Sequence, residues 1–182
     1  HGTVRLAALT NYRSAQTPRP DAPSRGALAT DFLQGGLSAE AYLETIKPSA
    51  SAYNPFNILV FDGETLLGFE SRDARVVTLQ PGIGAVSNAE FNTPWPKLRQ
   101  LSQALANCVA QGTTQDADLW PLLQSRSSIN DAELPHTGVP IALERALSPV
   151  FIATPHYGTR SCCVGRLEGN GAQFSEQRFG AD

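Results

Sequence analysis

An Asp-Gly pair between two apolar runs is the strongest short-range hairpin signal a sequence can carry. Asp62-Gly63 stands in that position here. Upstream of it, Asn57-Ile58-Leu59-Val60-Phe61 reads as a strand, and Thr65 to Ser71 reads as its return. Ser71-Arg72-Asp73 turns into a third run, Arg75-Val76-Val77-Thr78-Leu79, and Pro81-Gly82 turns again into a short strand at Ile83 to Ser87. Short strands joined by tight turns predict a mostly antiparallel sheet.

Helical signals lie outside this block. Val4 to Thr10 reads as a buried strand, and the Pro-, Ser- and Arg-rich stretch Asn11 to Pro23 as a long loop. Ser24 is expected to cap a helix to about Leu33, ended by Gly35-Gly36. Ser38 is expected to cap a second, Ala39 to about Lys47, stopped by Pro48, with a loop from Ser49 to Pro55. The longest helix is expected from Trp95 to Ala110. Its apolar positions step by three and four, Pro94 and Pro96 suit its first turn, and Gly112 closes it. Shorter helices are expected at Asp116 to Gln124, with Asp116 as cap, and at Ile141 to Leu147. The chain closes with a hairpin, Arg160 to Leu167 and Gln173 to Phe179, turning at Glu168-Gly169-Asn170-Gly171. Helices and strands in separate blocks predict an α+β fold, not a doubly wound parallel sheet.

At 182 residues the expectation is one domain spanning 1–182, large enough for a core without staples. The net charge is −3, from 14 basic and 17 acidic residues, which argues against a nucleic-acid partner. An odd count of 3 cysteines (Cys108, Cys162 and Cys163) fits a reducing compartment, and the cytoplasm is the expected location. No apolar run reaches the roughly 18–20 residues of a membrane span, so stable membrane insertion is not expected. The chain opens on His1 and contains no Met, from which a preceding segment is expected.

Several chemistries lack their residues. His1, His136 and His156 are scattered, with no Cys or carboxylate at ligand spacing, so neither a metal nor another cofactor is expected. Cys162 and Cys163 are neighbours in a strand and point to opposite faces, so they cannot converge on one ion. Gly82-Ile83-Gly84 precedes a strand rather than a helix, unlike a phosphate loop. There is no G-x-S-x-G elbow. What remains are polar residues at strand ends, where function often sits: Asn11, Ser87-Asn88, and Thr159-Arg160-Ser161. Read by themselves, Asn11 and Asn88 equally suit plain turn chemistry, since Asn bonds local backbone.

The segments LAALTNYR, DFL, YNPFNILVFDG, QPGIGAVSNAEFNTPWPKLRQL, YGTRSCCV and EQRF run in order from about Arg5 to Phe179. Together they resemble the Asn-Arg-Asp-Glu family, also called the transport-and-Golgi-organisation family. That family is similar to the N-terminal-nucleophile hydrolases, above all the choloylglycine-hydrolase branch. The resemblance implies an antiparallel α/β/β/α sandwich, incomplete at its N-terminus in this chain. In such enzymes the first residue, usually Cys, attacks an amide with its own α-amine as base. By resemblance, Asn88 would help hold the oxyanion, Arg160 would support the nucleophile, and Asn11 or Tyr12 would be a second donor. Ser87 and Tyr157 would lie on the substrate side.

His1 is not such a nucleophile, and Cys108, Cys162 and Cys163 are not N-terminal, so the resemblance places the nucleophile upstream of His1. The expected partner is a small-molecule amide. A second reading is a non-catalytic binding or trafficking protein for an apolar ligand, haem included, with Phe91, Trp95 and Tyr157 lining its cleft. An incomplete sheet would leave an edge strand open, through which a homodimer could form.

Overall fold

The computed structural model describes residues 4–169 and 171–180. The opening His1-Gly2-Thr3 and Asn170 of the last turn lie outside the described residues. The chain divides into two compact units, His1–Thr93 and Pro94–Asp182. Both combine helices with antiparallel strands in separate blocks, as an α+β class requires.

The first unit contains β1 (Leu6–Asn11), α1 (Gly26–Gln34), α2 (Ala39–Ile46), a 3-10 segment at Lys47–Ala52, β2 (Phe56–Phe61), β3 (Leu66–Glu70) and β4 (Arg75–Thr78). The four strands form one sheet in the order β1-β2-β3-β4, every neighbour antiparallel. The Asp62-Gly63 hairpin is present. Leu66 pairs with Phe61, Gly63 takes φ 104°, and the Asp62 carboxylate accepts from the amides of Glu64 and Thr65 at 3.0 and 2.8 Å. Asp62 also accepts from the Ala39 amide at 2.7 Å, tying the turn to the start of α2.

The core lies between this sheet and its helices. Phe56, Ile58 and Val60 alternate along β2, all fully buried, and meet Phe69 from β3 and Leu28, Phe32, Leu43 and Ile46 from α1 and α2. Each such side chain contributes about 1.5–3 kcal/mol by leaving water. Ser38 caps α2 as expected, its hydroxyl accepting from the Ala41 amide. Ser24 does not cap α1. Arg25 occupies the cap position in helical geometry, and no side chain caps the helix.

A second expectation fails at Ile83 to Ser87, which forms no strand. Asn92, at φ 60°, closes the segment on itself. Its side-chain oxygen accepts from the Ala85 amide at 2.9 Å, and its own amide donates to the Ala85 carbonyl at 2.7 Å. The two backbone groups that Ala85 would offer a neighbouring strand are thus occupied, and the sheet ends at β4 on this side, with β1 as its other edge.

The second unit contains α3 (Pro96–Gln111), α4 (Asp116–Leu123), a 3-10 turn at Asp131–Glu133, α5 (Ile141–Ala146), β5 (Ser161–Glu168) and β6 (Gly171–Arg178). Trp95 holds the cap position of α3 and Pro96 is its first residue. Gly112 ends it at φ 69°, a conformation that a side chain would strain. Asp116 is not the cap of α4. Gln115 and Asp118 form a reciprocal capping box there, and Asp116 instead pairs with Arg166 on β5. β5 and β6 pair antiparallel from Ser161↔Arg178 to Glu168↔Gly171. Cys162 is buried and donates to the Leu123 carbonyl, whereas the adjacent Cys163 is exposed, as strand alternation demands.

Candidate functional site

Ser87-Asn88 does not end a strand. It sits in an irregular segment, 85–93, in which side chains bond the backbone of Ala85, Ala89, Glu90 and Phe91. The carboxamide nitrogen of Asn57, second residue of β2, donates to the Ala89 carbonyl at 2.7 Å and to the Thr10 hydroxyl at 3.1 Å. The Phe91 amide donates to the buried Glu70 carboxylate at 2.8 Å, and Arg75 holds the other oxygen of that carboxylate. The tip of the Phe91 ring lies against Gly68 of β3, where a Cβ would stand 2.6 Å from it. The Thr93 hydroxyl donates to the Glu90 carbonyl at 2.9 Å.

This segment is fastened to the end of β1. The Asn88 carboxamide donates to the Asn11 carbonyl at 2.8 Å, and the Arg13 amide donates to the Asn88 carbonyl at 2.8 Å. The Ser87 hydroxyl donates to the Asn88 side-chain oxygen at 3.3 Å. The Tyr12 amide donates to the Pro55 carbonyl at 3.0 Å, which continues the β1–β2 pairing by one residue. Asn11, Ser87 and Asn88 are therefore one hydrogen-bonded group, and Tyr12, the next residue after Asn11, bonds instead to Pro55 and Glu90. An Asn amide has two N–H donors, and the bond to Asn11 uses one of the pair on Asn88.

Tyr12 carries a further pair of partners that the sequence reading did not single out. Its hydroxyl donates to the Glu90 carboxylate, and the Arg72 guanidinium lies 4.8 Å from its ring centre. Burial, then the neighbouring Glu90 carboxylate, raises the Tyr12 hydroxyl above its usual value. The hydrogen bond from Tyr12 lowers Glu90, and Arg72 is raised by the same tyrosine. At neutral pH this is a phenol donating to a carboxylate beside a cation. Asn57 was also missed. It is 1% exposed, and its side-chain oxygen has no hydrogen-bond partner among the described residues. Rotating the amide would instead set that oxygen against the Ala89 carbonyl, so the two N–H bonds fix its orientation.

Asn11 also forms part of the wall of an open cavity of about 360 Å³. The rest of that wall is Leu9, Arg19, Pro20, Ala22 and Pro23 of the loop before α1, the start of α1 and Asn54. The loop is itself held. The Arg19 side chain donates to the carbonyls of Ser51, Ala52 and Tyr53 at 2.9, 2.8 and 2.7 Å. Asn54 exchanges two bonds with the Arg19 backbone, and Arg25 donates to the Pro55 carbonyl at 3.0 Å.

Arg160 and Tyr157 belong to the second unit, on the segment entering β5. Thr154 folds that segment over. Its hydroxyl donates to the Tyr157 carbonyl at 2.6 Å and accepts from the Tyr157 amide at 3.0 Å, leaving the ring 63% exposed. The Arg160 carbonyl accepts from the Phe179 amide at 2.8 Å, which aligns the hairpin ends. This unit also has an apolar cavity of about 290 Å³ against α3, α4 and β5, lined by Leu101, Leu105, Leu119, Leu122 and their neighbours. Phe91, Trp95 and Tyr157 are not among its lining residues. Among the described residues no three His, Cys, Asp or Glu side chains gather for a metal ion, and no helix is long and apolar enough to cross a membrane.

A family model described as Transport and Golgi organisation 2 matches residues 1–180. The chain belongs to the transport and Golgi organisation 2 family. Three relatives each align over 189 residues, 95% of this chain and 68% of their own length. The Transport and Golgi organization protein 2 homolog of Bos taurus is 30% identical, that of Homo sapiens 29%, and the Transport and Golgi organization 2 homolog of Mus musculus 28%. In this member of the transport and Golgi organisation 2 family, LAALTNYR is β1 with the residues that receive Asn88, and YNPFNILVFDG is β2 with its hairpin. SNAEFNTPWPK is the side-chain-bonded segment with the start of α3, YGTRSCCV leads into β5, and EQRF ends the last hairpin.

Proposed function

We propose that this chain forms the body of an amide (C–N) hydrolase of the N-terminal-nucleophile type, with an α/β/β/α sandwich and a nucleophile upstream of His1. One observation carries the reading. Asn88 is held to the end of β1 by its own carboxamide, next to Asn11 on a cavity wall. A preorganised amide donor on rigid backbone is what a developing oxyanion needs, because its hydrogen bond then costs no reorganisation during reaction. In the proposed reaction a thiolate adds to the substrate carbonyl carbon, and the second N–H of Asn88 donates to the resulting oxyanion. The amine then leaves with a proton from the nucleophile's α-ammonium group. Water hydrolyses the acyl thioester and restores the thiol. Arg160 supports the nucleophile, and Asn11 or Tyr12 orients the substrate carbonyl.

The test uses the protein with its natural N-terminus and a panel of chromogenic N-acyl amides, together with a chloroacetamide trap mapped by mass spectrometry. The reading expects hydrolysis, an adduct on the N-terminal residue, and a loss of roughly 10²–10³ in kcat for Asn88→Ala. Asn88→Asp, which keeps the shape but lacks the donor, should lose as much. Absence of both hydrolysis and adduct would overturn it.

A further inference from the structure

The cavity beside Asn11 has an unusual charge. Arg19 and Arg25 both line it, and no Asp or Glu does. Among the described residues neither arginine is ion-paired, and the partners of both side chains are neutral carbonyls. A guanidinium has five N–H donors and keeps its charge at any physiological pH. Arg19 spends one nitrogen on three carbonyls and Arg25 spends one on Pro55, so both keep donors and full charge. These bonds also fix where the side chains sit, which reduces the ordering cost of binding.

The start of α1 adds to this. Ser24, Arg25 and Gly26 lie on the cavity wall, the first turn of the helix holds no acid, and no side chain caps it. Two guanidinium groups at a cavity of this size form an oxyanion-binding environment, and the positive end of the helix strengthens it.

We propose that this cavity binds the oxyanion group, carboxylate or phosphate, of the molecule presented to Asn11. The inference rests on the amidase reading for what lies at Asn11 and assigns a substrate class to it: amides that carry an anionic group. Arg19 and Arg25 are then specificity-determining residues, distinct from Asn88 at the reacting carbonyl.

Binding is tested separately from turnover. Inorganic phosphate and succinate are titrated into the full chain by calorimetry and by amide chemical shifts. Saturable binding of at least one anion is expected, with shifts at Gly26 and Asn11. The arm that binds more tightly names the source. Arg25→Gln should weaken binding tenfold or more, and Arg25→Lys less. Arg25→Gln loses the bond to Pro55, so a second variant guards against misfolding. Gly26→Asp places a carboxylate at the cavity rim, where a side chain has room and where an acid suits a helix start. It should fold at least as well as the parent and abolish anion binding. In turnover, Arg25→Gln should lower kcat/KM for anionic amides and spare neutral ones. Absence of saturable binding, or binding in Gly26→Asp and Arg25→Gln as tight as in the parent, would overturn the proposal. Anion binding without amide cleavage would sink the amidase reading alone.

Discussion

The carboxamide nitrogen of Asn88 lies 2.8 Å from the carbonyl oxygen of Asn11, across 77 positions of sequence. That bond joins an irregular segment to the last residue of an edge strand. With the Arg13–Asn88 backbone bond and the Tyr12–Glu90 bond, it ties together two stretches far apart in the chain.

Asn88→Ala removes this bond and the acceptor of Ser87. It should lower stability by about 1 kcal/mol, the usual net value of one hydrogen bond. Urea unfolding followed by tryptophan fluorescence checks it. An unchanged midpoint would mean that the Arg13–Asn88 backbone bond and the Tyr12–Glu90 bond hold the junction without it.

Gly68→Ala should cost about 1–3 kcal/mol, because its methyl would stand 2.6 Å from the Phe91 ring in a packed interior. Phe91→Leu in the Gly68→Ala background should recover part of the loss. The double-mutant cycle should show a coupling above about 0.5 kcal/mol, as expected of residues in contact. Additive effects would place the ring elsewhere.

The Tyr12–Glu90 pair predicts pH dependence at both ends. Glu90 is lowered from its ordinary 4.5, first by the hydrogen bond from Tyr12. Its contribution is therefore present above that value and disappears as pH falls through the lowered one. Tyr12 is raised above 10.0, first by burial. Its contribution is complete below that value and is lost as pH rises through the raised one. Glu90→Gln should flatten the acid limb of the stability profile. The difference in phenolate absorbance between parent and Tyr12→Phe should titrate later than a free tyrosine. A difference curve centred at the ordinary value would refute the pairing.

Thiol labelling should separate two neighbours. Cys163 is exposed, whereas Cys162 is buried and its thiol is pushed up by burial. With a disulfide reagent under native conditions, Cys163 should react in seconds to minutes and Cys162 at the rate of opening. Peptide mapping reads out the order. Equal rates would mean that β5 does not hold its alternation.

What the sequence made legible was local. Asp62-Gly63 specifies its hairpin, Ser38 its cap and Gly112 its helix end, because each acts on backbone within a few residues. What stayed hidden depended on partners far along the chain. Asp116 looked like a cap, but its carboxylate went to Arg166, 50 positions away. Ile83 to Ser87 had the composition of a strand until Asn92 occupied the backbone of Ala85. The candidate site divides in the same way. Asn11, Ser87 and Asn88 stood out as polar residues at expected strand ends, and Tyr12 only through the family resemblance. Glu90 gave no signal because its partner Tyr12 is 78 positions distant. Asn57 read as the first residue of an apolar strand, whereas its amide bonds the Ala89 carbonyl, 32 positions away.

The side-chain bonding of residues 85–93 has a consequence for mutational tolerance. A helix in an apolar core accepts many aliphatic replacements, because burial rewards volume and hydrophobicity rather than identity. A loop whose amides and carbonyls are matched to particular carboxamides and carboxylates has few synonyms. In a saturation library selected for folding, α1 and α2 should return diverse survivors. Asn57, Glu70, Asn88 and Asn92 should return nearly unmixed ones, so that the shape of this stretch is inherited as a set.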